Sequence, residues 1–125
     1  MRWFLIAAAA LHAFFMVAEL FPWSFPFLLK QASRKLPPVD AKFPDDRFSE
    51  EQREIVIAIV HNAAIYNGII CGGLLWAAFV GNQGHDVARV MLMGAAAAGI
   101  FGAVTLKNPV PALQAAVGIA GLFII

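Results

Sequence analysis

Long apolar runs with few charges constrain the fold of this chain more than any other feature. Of its 125 residues, 61% are hydrophobic and 14% are charged, whereas a soluble domain is usually about 25% charged. A helix needs about 20 apolar residues to cross a bilayer core of about 30 Å, and runs of that length recur here. The sequence therefore predicts an integral membrane protein of one domain, embedded in the lipid bilayer. A net charge of +1 gives no indication of nucleic-acid binding.

Breaks between these runs predict an all-α, four-helix transmembrane bundle that occupies residues 1–125. The helices are expected at about 2–21, 50–80, 87–106 and 110–125. They are separated by Pro22, by Gly81-Asn82-Gln83-Gly84 and by Asn108-Pro109. The first run ends on bulky and acidic residues rather than at a small-residue cleavage site, so it is expected to be retained. The fourth is barely long enough to span, and the chain ends inside it.

The loop at 22–49 separates the first two helices and carries aromatic residues followed by basic ones. That order is typical of an amphipathic helix at the headgroup level, or of a loop that skims the surface. Ser49 and Gln52 have the spacing of a capping box, which predicts that the second helix begins in water.

The distribution of Lys and Arg residues predicts the orientation of the chain in the membrane. Seven of the nine lie on the side of the long loop and Lys107, and the other two are Arg2 and Arg89. The positive-inside rule therefore predicts a cytoplasmic 22–54 segment and outside termini, in the cell inner (plasma) membrane.

Polar side chains inside the apolar runs are the part of the sequence that indicates chemistry. His12 and Glu19 are seven residues apart, so they share one face of the first helix. The second helix enters from the Glu19 side, and antiparallel packing would bring its His61 against Glu19. By the same argument Asn67 would lie against His12.

These groups have two interpretations. As an acid–base site, the catalytic residues would be His12, Glu19 and His61. The substrate-binding residues would then be Asn62, Tyr66, Asn67, Thr105 and Gln114. As a structural clamp, the same groups would form interhelical hydrogen bonds that each contribute about 0.6 kcal/mol. Asn62 and Tyr66 share a face that Asn67 does not, which favours a helix packed between neighbours.

Metal and cofactor sites are not predicted. Two histidines and a carboxylate are a legitimate ligand set, but His12, Glu19 and His61 have no local metal-binding spacing. No cofactor motif is present. Small residues at four-residue spacing instead predict a helix-contact row, within the chain, with another membrane protein or with a second copy. The row consists of Gly94, Ala98 and Gly102.

Several of these residues also belong to motifs. The stretch from His12 to Trp23 resembles the His…Glu-x-Phe-x-Trp pattern of the domain-of-unknown-function 1304 family, small four-helix membrane proteins that are mainly bacterial. Asn62-x-x-x-Tyr66-Asn67-Gly68 is similar to its Asn-x-x-x-Tyr-Asn-Gly signature. The third and fourth matches are the run from Ala98 to Thr105 and Gln114.

Three features depart from that family's pattern. Leu11 stands where the family usually has Glu, the first loop is longer, and no Pro follows Gln114. The resemblance implies a four-helix membrane bundle and no particular activity.

Three functions are compatible with the sequence. The first is a structural or accessory subunit, or a small homo-oligomer, in a membrane. The second is a membrane-embedded enzyme that uses His and Glu for acid–base chemistry on a hydrophobic, lipid-like substrate. The third is a small proton-coupled carrier, which would have to oligomerise because the chain has no internal repeat.

Overall fold

The structure, a computed structural model, describes residues 1–22, 50–106 and 109–125. These residues form four α-helices, and a 3₁₀ turn, Gly81–Gly84, precedes the third of them. The helices are α1 (Arg2–Leu20), α2 (Glu50–Phe79), α3 (His85–Leu106) and α4 (Pro109–Ile124). The predicted all-α fold is confirmed. The observed helix ends lie within one or two residues of the expected ones.

Three stretches are long and apolar enough to cross a membrane: Arg2–Leu20, Glu54–Phe79 and Gly81–Thr105. Their length and composition are compatible with a membrane protein. The fourth helix has 16 residues, which corresponds to about 24 Å at 1.5 Å per residue. Its role as a full membrane span stays a prediction. The predicted surface helix within 22–49 and the predicted cap at Ser49 lie outside the described residues.

The helices associate as two antiparallel pairs, α1 with α2 and α3 with α4. Small residues at the contacts allow the two helices of each pair to approach closely. Ala9 of α1 and Ala64 of α2 are completely buried. A Cβ added at Gly118 of α4 would lie 2.6 Å from the backbone nitrogen of Ala96 on α3. Pro109 is tolerated at the start of α4 because the first turn of a helix needs no N–H donor.

The two pairs join around one apolar core near the start of α1. Leu5, Leu74 and Leu92 are its largest buried side chains, contributed by α1, α2 and α3 respectively. At the same end, a Cβ added at Gly121 of α4 would lie 2.7 Å from the ring of Phe4. The contacts that join the pairs therefore lie near the start of α1, away from its end at Leu20.

Two local features shape that end of the molecule. The guanidinium of Arg2 lies 4.7 Å from the ring centroid of Phe79, so a cation–π contact joins the start of α1 to the end of α2. Gly81 has a φ of 70°, in the left-handed region that favours glycine. The chain can therefore leave α2 and enter α3 within a few residues.

Candidate functional site

A buried polar network joins α1 to α2. Nδ1 of His12 lies 2.8 Å from Oδ1 of Asn67. The Nδ2 of Asn67 donates to Oε2 of Glu19 at 2.7 Å. His12 and Asn67 are both buried, and Glu19 is half-buried. The contact expected between His12 and Asn67 is therefore present, and one carboxamide bridges the two groups of α1.

The sequence places these groups by helical periodicity. His12 belongs to the buried stripe of α1, together with Leu5, Ala8, Ala9, Phe15 and Ala18. Asn67 lies on the buried stripe of α2, three residues after Ala64 and seven before Leu74. These spacings return to one face of a helix. Gly68 lets the helices approach, because an added Cβ there would meet Sδ of Met16 at 3.0 Å.

Glu19 does not pair with His61 in the described part of the chain. The carboxylate of Glu19 accepts from Asn67, whereas Nε2 of His61 lies 3.1 Å from the carbonyl oxygen of Leu20. Side chains lean toward the N-terminus of their own helix, and α1 and α2 are antiparallel. Glu19 therefore leans toward His12, and His61 leans the other way. There it donates to a carbonyl near the end of α1, where helical partners run out.

The hydrogen-bond pattern assigns the tautomer of His12. Because the NH₂ of Asn67 faces Glu19, its carbonyl oxygen faces His12, and Nδ1 of His12 must carry the proton. In the neutral ring Nε2 is then a bare acceptor. Nε2 is buried and has no hydrogen-bond partner among the residues that the structure describes. The ring of Phe15 meets the imidazole edge-on, with the centroids 6.1 Å apart.

Asn62 and Tyr66 face away from this network. Both are exposed, Tyr66 by 61%. Neither side chain has a hydrogen-bond partner within residues 1–22, 50–106 and 109–125. The prediction that α2 is packed between neighbours on both polar sides is therefore not met within the described chain. The sequence correctly separates the face of Asn62 and Tyr66 from that of Asn67, but only Asn67 is covered.

Thr105 and Gln114 lie on the other helix pair. Thr105 is exposed, and its hydroxyl donates to the carbonyl oxygen of Phe101, one turn earlier, at 2.8 Å. Gln114 is half-buried on α4. Neither hydrogen-bonds to the network of His12, Asn67 and Glu19 in the described structure. The substrate-binding role predicted for them, and for Asn62 and Tyr66, stays a prediction.

The members of the small-residue row of α3 lie in two different environments. A Cβ added at Gly102 would lie 2.9 Å from Pro111 of α4, so this glycine serves a contact within the chain. Gly94 and Ala98 are exposed, and a Cβ at Gly94 would meet nothing within 4 Å. The adjacent row, Ala95 and Gly99, is buried instead.

His12, Glu19 and His61 do not converge on one point. Among the described residues, no three His, Cys, Asp or Glu side chains are grouped in a way that could hold a metal ion. What the arrangement can do chemically is hold two helices together through directed hydrogen bonds and present one bare imidazole nitrogen in an apolar interior.

Comparison with known proteins places the chain in a family. A family model described as protein of unknown function (DUF1304) matches residues 6–125. The chain belongs to the DUF1304 family. The resemblance carried by its four motifs is thereby confirmed. No curated protein and no solved structure matches this DUF1304 chain.

Besides the hydrogen bond of Asn67 to Glu19, three contacts around the site of the DUF1304 chain were not predicted from its sequence. They are the hydrogen bond of His61 to Leu20, the packing of Met16 on Gly68 and the edge contact of Phe15 with His12. Phe15 lies three residues after His12, a spacing that could have indicated this contact. The other two depend on the relative depth of α1 and α2, which periodicity alone does not give.

Proposed function

We propose that the chain is a structural membrane protein, either an accessory subunit or a small homo-oligomer. The observation that supports this most is the pair of hydrogen bonds through which Asn67 of α2 binds His12 and Glu19 of α1. Each bond crosses between helices and lies at a buried or half-buried site. Membrane helices associate without a hydrophobic driving force, so close packing and such polar contacts hold them together.

Unfolding of the full-length chain in lipid nanodiscs tests this proposal. Asn67→Leu removes both bonds and leaves the Nδ1 proton of His12 without its acceptor, so the free energy of unfolding should fall by about 1–3 kcal/mol. Thr105→Val is the matched control, because the hydroxyl of Thr105 donates to Phe101 of its own helix. Equal stability of the Asn67→Leu and Thr105→Val variants would contradict a structural role for the network.

A membrane-embedded enzyme is the second candidate, favoured by Nε2 of His12. This nitrogen is buried and lacks a partner among the described residues. A positioned imidazole nitrogen with a free lone pair is what a general base requires. Mass spectrometry of molecules that co-purify with the wild-type protein and with a His12→Gln variant tests this candidate. A hydrophobic molecule retained by the wild type alone would favour it, and identical sets would contradict it.

We further propose that the 22–54 segment is cytoplasmic and that both termini lie outside. Seven of the nine Lys and Arg residues belong to the side of the long loop and Lys107, which supports this orientation. The placement of both termini on one side is supported by the proximity of Gly121 and Phe4, near the end of α4 and the start of α1.

A further inference from the structure

An exposed stripe with heptad spacing runs along α2. Ile55, Ile59, Tyr66 and Ile69 are 55%, 64%, 61% and 56% exposed, and Asn62 is exposed between them. The steps along the stripe alternate between four and three residues, the spacing at which two helices contact each other in a left-handed coiled coil. This seam, defined by these five residues, lies on a different side of α2 from Ala64, Asn67 and Leu74.

The polar side chains of the seam, Asn62 and Tyr66, lie at a depth where lipid tails offer no hydrogen-bond partner. The span of α2 begins at Glu54, so Asn62 is about 12 Å into it and Tyr66 about 18 Å at 1.5 Å per residue. Neither side chain has a hydrogen-bond partner among the residues that the structure describes. An amide without a partner in hydrocarbon is strongly unfavourable, because no water is present to replace the missing hydrogen bonds. A second protein surface that supplies donors and acceptors would remove this cost.

We propose that the seam is the contact to a second copy of the chain. The carboxamide of Asn62 and the hydroxyl of Tyr66 each carry both a donor and an acceptor, so each group can bind its own counterpart. A twofold axis along the membrane normal places the two Asn62 side chains at the same depth. A partner of another sequence would need its own polar residue at that depth, whereas a second copy provides one. This inference rests on the proposed structural role and names its partner.

The row of Gly94, Ala98 and Gly102 on α3 is less suited to this contact. Gly102 already meets Pro111 of its own chain, and the row presents no polar group. The seam of α2 combines apolar residues with an Asn at one position, an arrangement that fixes the register and number of helices in a coiled coil.

Disulfide cross-linking of the full chain in lipid vesicles tests the seam. In a Cys71→Ala background, Ile59→Cys and Ile69→Cys should each form a cross-linked dimer, since both lie next to the twofold axis. Leu75→Cys is the matched control, because Leu75 is also exposed but lies about 120° round the helix from Ile69. Cross-linking of Leu75→Cys at the same rate as Ile69→Cys would overturn the proposal.

A second measurement separates the hydrogen bond from general packing. Replacing Asn62 by Leu should weaken dimerisation about 3- to 20-fold, the range that interhelical hydrogen bonds in membranes produce. Asn62→Gln keeps a carboxamide and should restore most of the dimer, and circular dichroism checks that both variants fold. An unchanged dimerisation constant in Asn62→Leu would contradict the seam.

The two proposals can fail separately. A monomer in which Asn67→Leu is still destabilised relative to Thr105→Val would refute the seam alone. A dimer in which Asn67→Leu is as stable as that control would refute the structural role of the buried network.

Discussion

Asn67 determines how the buried polar groups are arranged. A carboxamide accepts with one atom and donates with the other, so a single side chain can join an imidazole N–H to a carboxylate. His12 and Glu19 are 7 residues apart on α1, about 10 Å along the helix axis, and each lies within 2.8 Å of an atom of Asn67. The side chain of Glu19 leans toward the N-terminus of α1, which shortens the distance between the two groups that Asn67 joins.

The tautomer of His12 is a direct residue-scale prediction. In ¹⁵N NMR spectra of the protein in lipid, Nδ1 of His12 should have the shift of a protonated ring nitrogen, and Nε2 that of a bare one. The reason is that Oδ1 of Asn67 is an acceptor and requires a donor opposite it. In an Asn67→Leu variant this preference should disappear. A proton found on Nε2 of wild-type His12 would mean that the bonding pattern is different.

At this scale the sequence predicts part of the site. Depth along two antiparallel helices is enough to bring His12 opposite Asn67, and the structure contains that contact. The same argument paired Glu19 with His61 and was wrong. Two backbone positions at the same level of an antiparallel pair need not be in contact, because each side chain leans toward the N-terminus of its own helix and the two therefore lean apart.

At the scale of helices, small residues determine how closely the members of a pair approach. On α3, rows at four-residue spacing begin at Gly94 and at Ala95, and sequence spacing does not reveal which row faces α4. In the structure the second row is buried, and Gly99 contacts the backbone of Ala115. The choice between the rows depends on how α3 is rotated against α4 and on the core at Leu92.

Paired glycine substitutions test this element-scale account. A Cβ added at Gly118 would lie 2.6 Å from the nitrogen and 2.9 Å from the Cα of Ala96, and backbone atoms cannot move aside cheaply. Gly118→Ala should therefore lower the free energy of unfolding by about 1–3 kcal/mol, as overpacking does.

Gly94→Ala is the control on the other row. The added methyl group meets nothing within 4 Å, so the variant should be as stable as the wild type or slightly more stable. The two variants are compared by thermal unfolding in the same nanodiscs. A Gly94→Ala variant that loses as much stability as Gly118→Ala would contradict the observed rotation of α3.

On the scale of the whole molecule, composition and the spacing of apolar runs predict the all-α class and the approximate ends of the helices. They do not predict the division into two pairs, because a sequence pattern shows which face of a helix is apolar but not which neighbour covers it. The exposed face of Asn62 and Tyr66 illustrates this. The sequence predicts that neighbouring helices cover it, and the described residues of the chain leave it open.

The prediction at the scale of the whole molecule concerns which side of the membrane each connecting segment lies on. In a Cys71→Ala background, Asn82→Cys lies in the short turn between α2 and α3, and Ser33→Cys lies in the long loop. A membrane-impermeant maleimide added to intact spheroplasts should label Asn82→Cys, and label Ser33→Cys only after lysis. This outcome is expected because Lys and Arg are concentrated on the side of the long loop. Labelling of Ser33→Cys in intact spheroplasts, and of Asn82→Cys only after lysis, would mean that the orientation is the opposite of the predicted one.

A structure of the chain in lipid nanodiscs tests the central claim, that the buried polar groups hold α1 against α2. We predict that Nδ1 of His12 lies within hydrogen-bond distance of Oδ1 of Asn67, and Nδ2 of Asn67 within that distance of Glu19. The two helices should be in direct contact around these groups. A water-filled cavity or a bound molecule that separates His12 from Asn67 would contradict the claim and favour the enzyme.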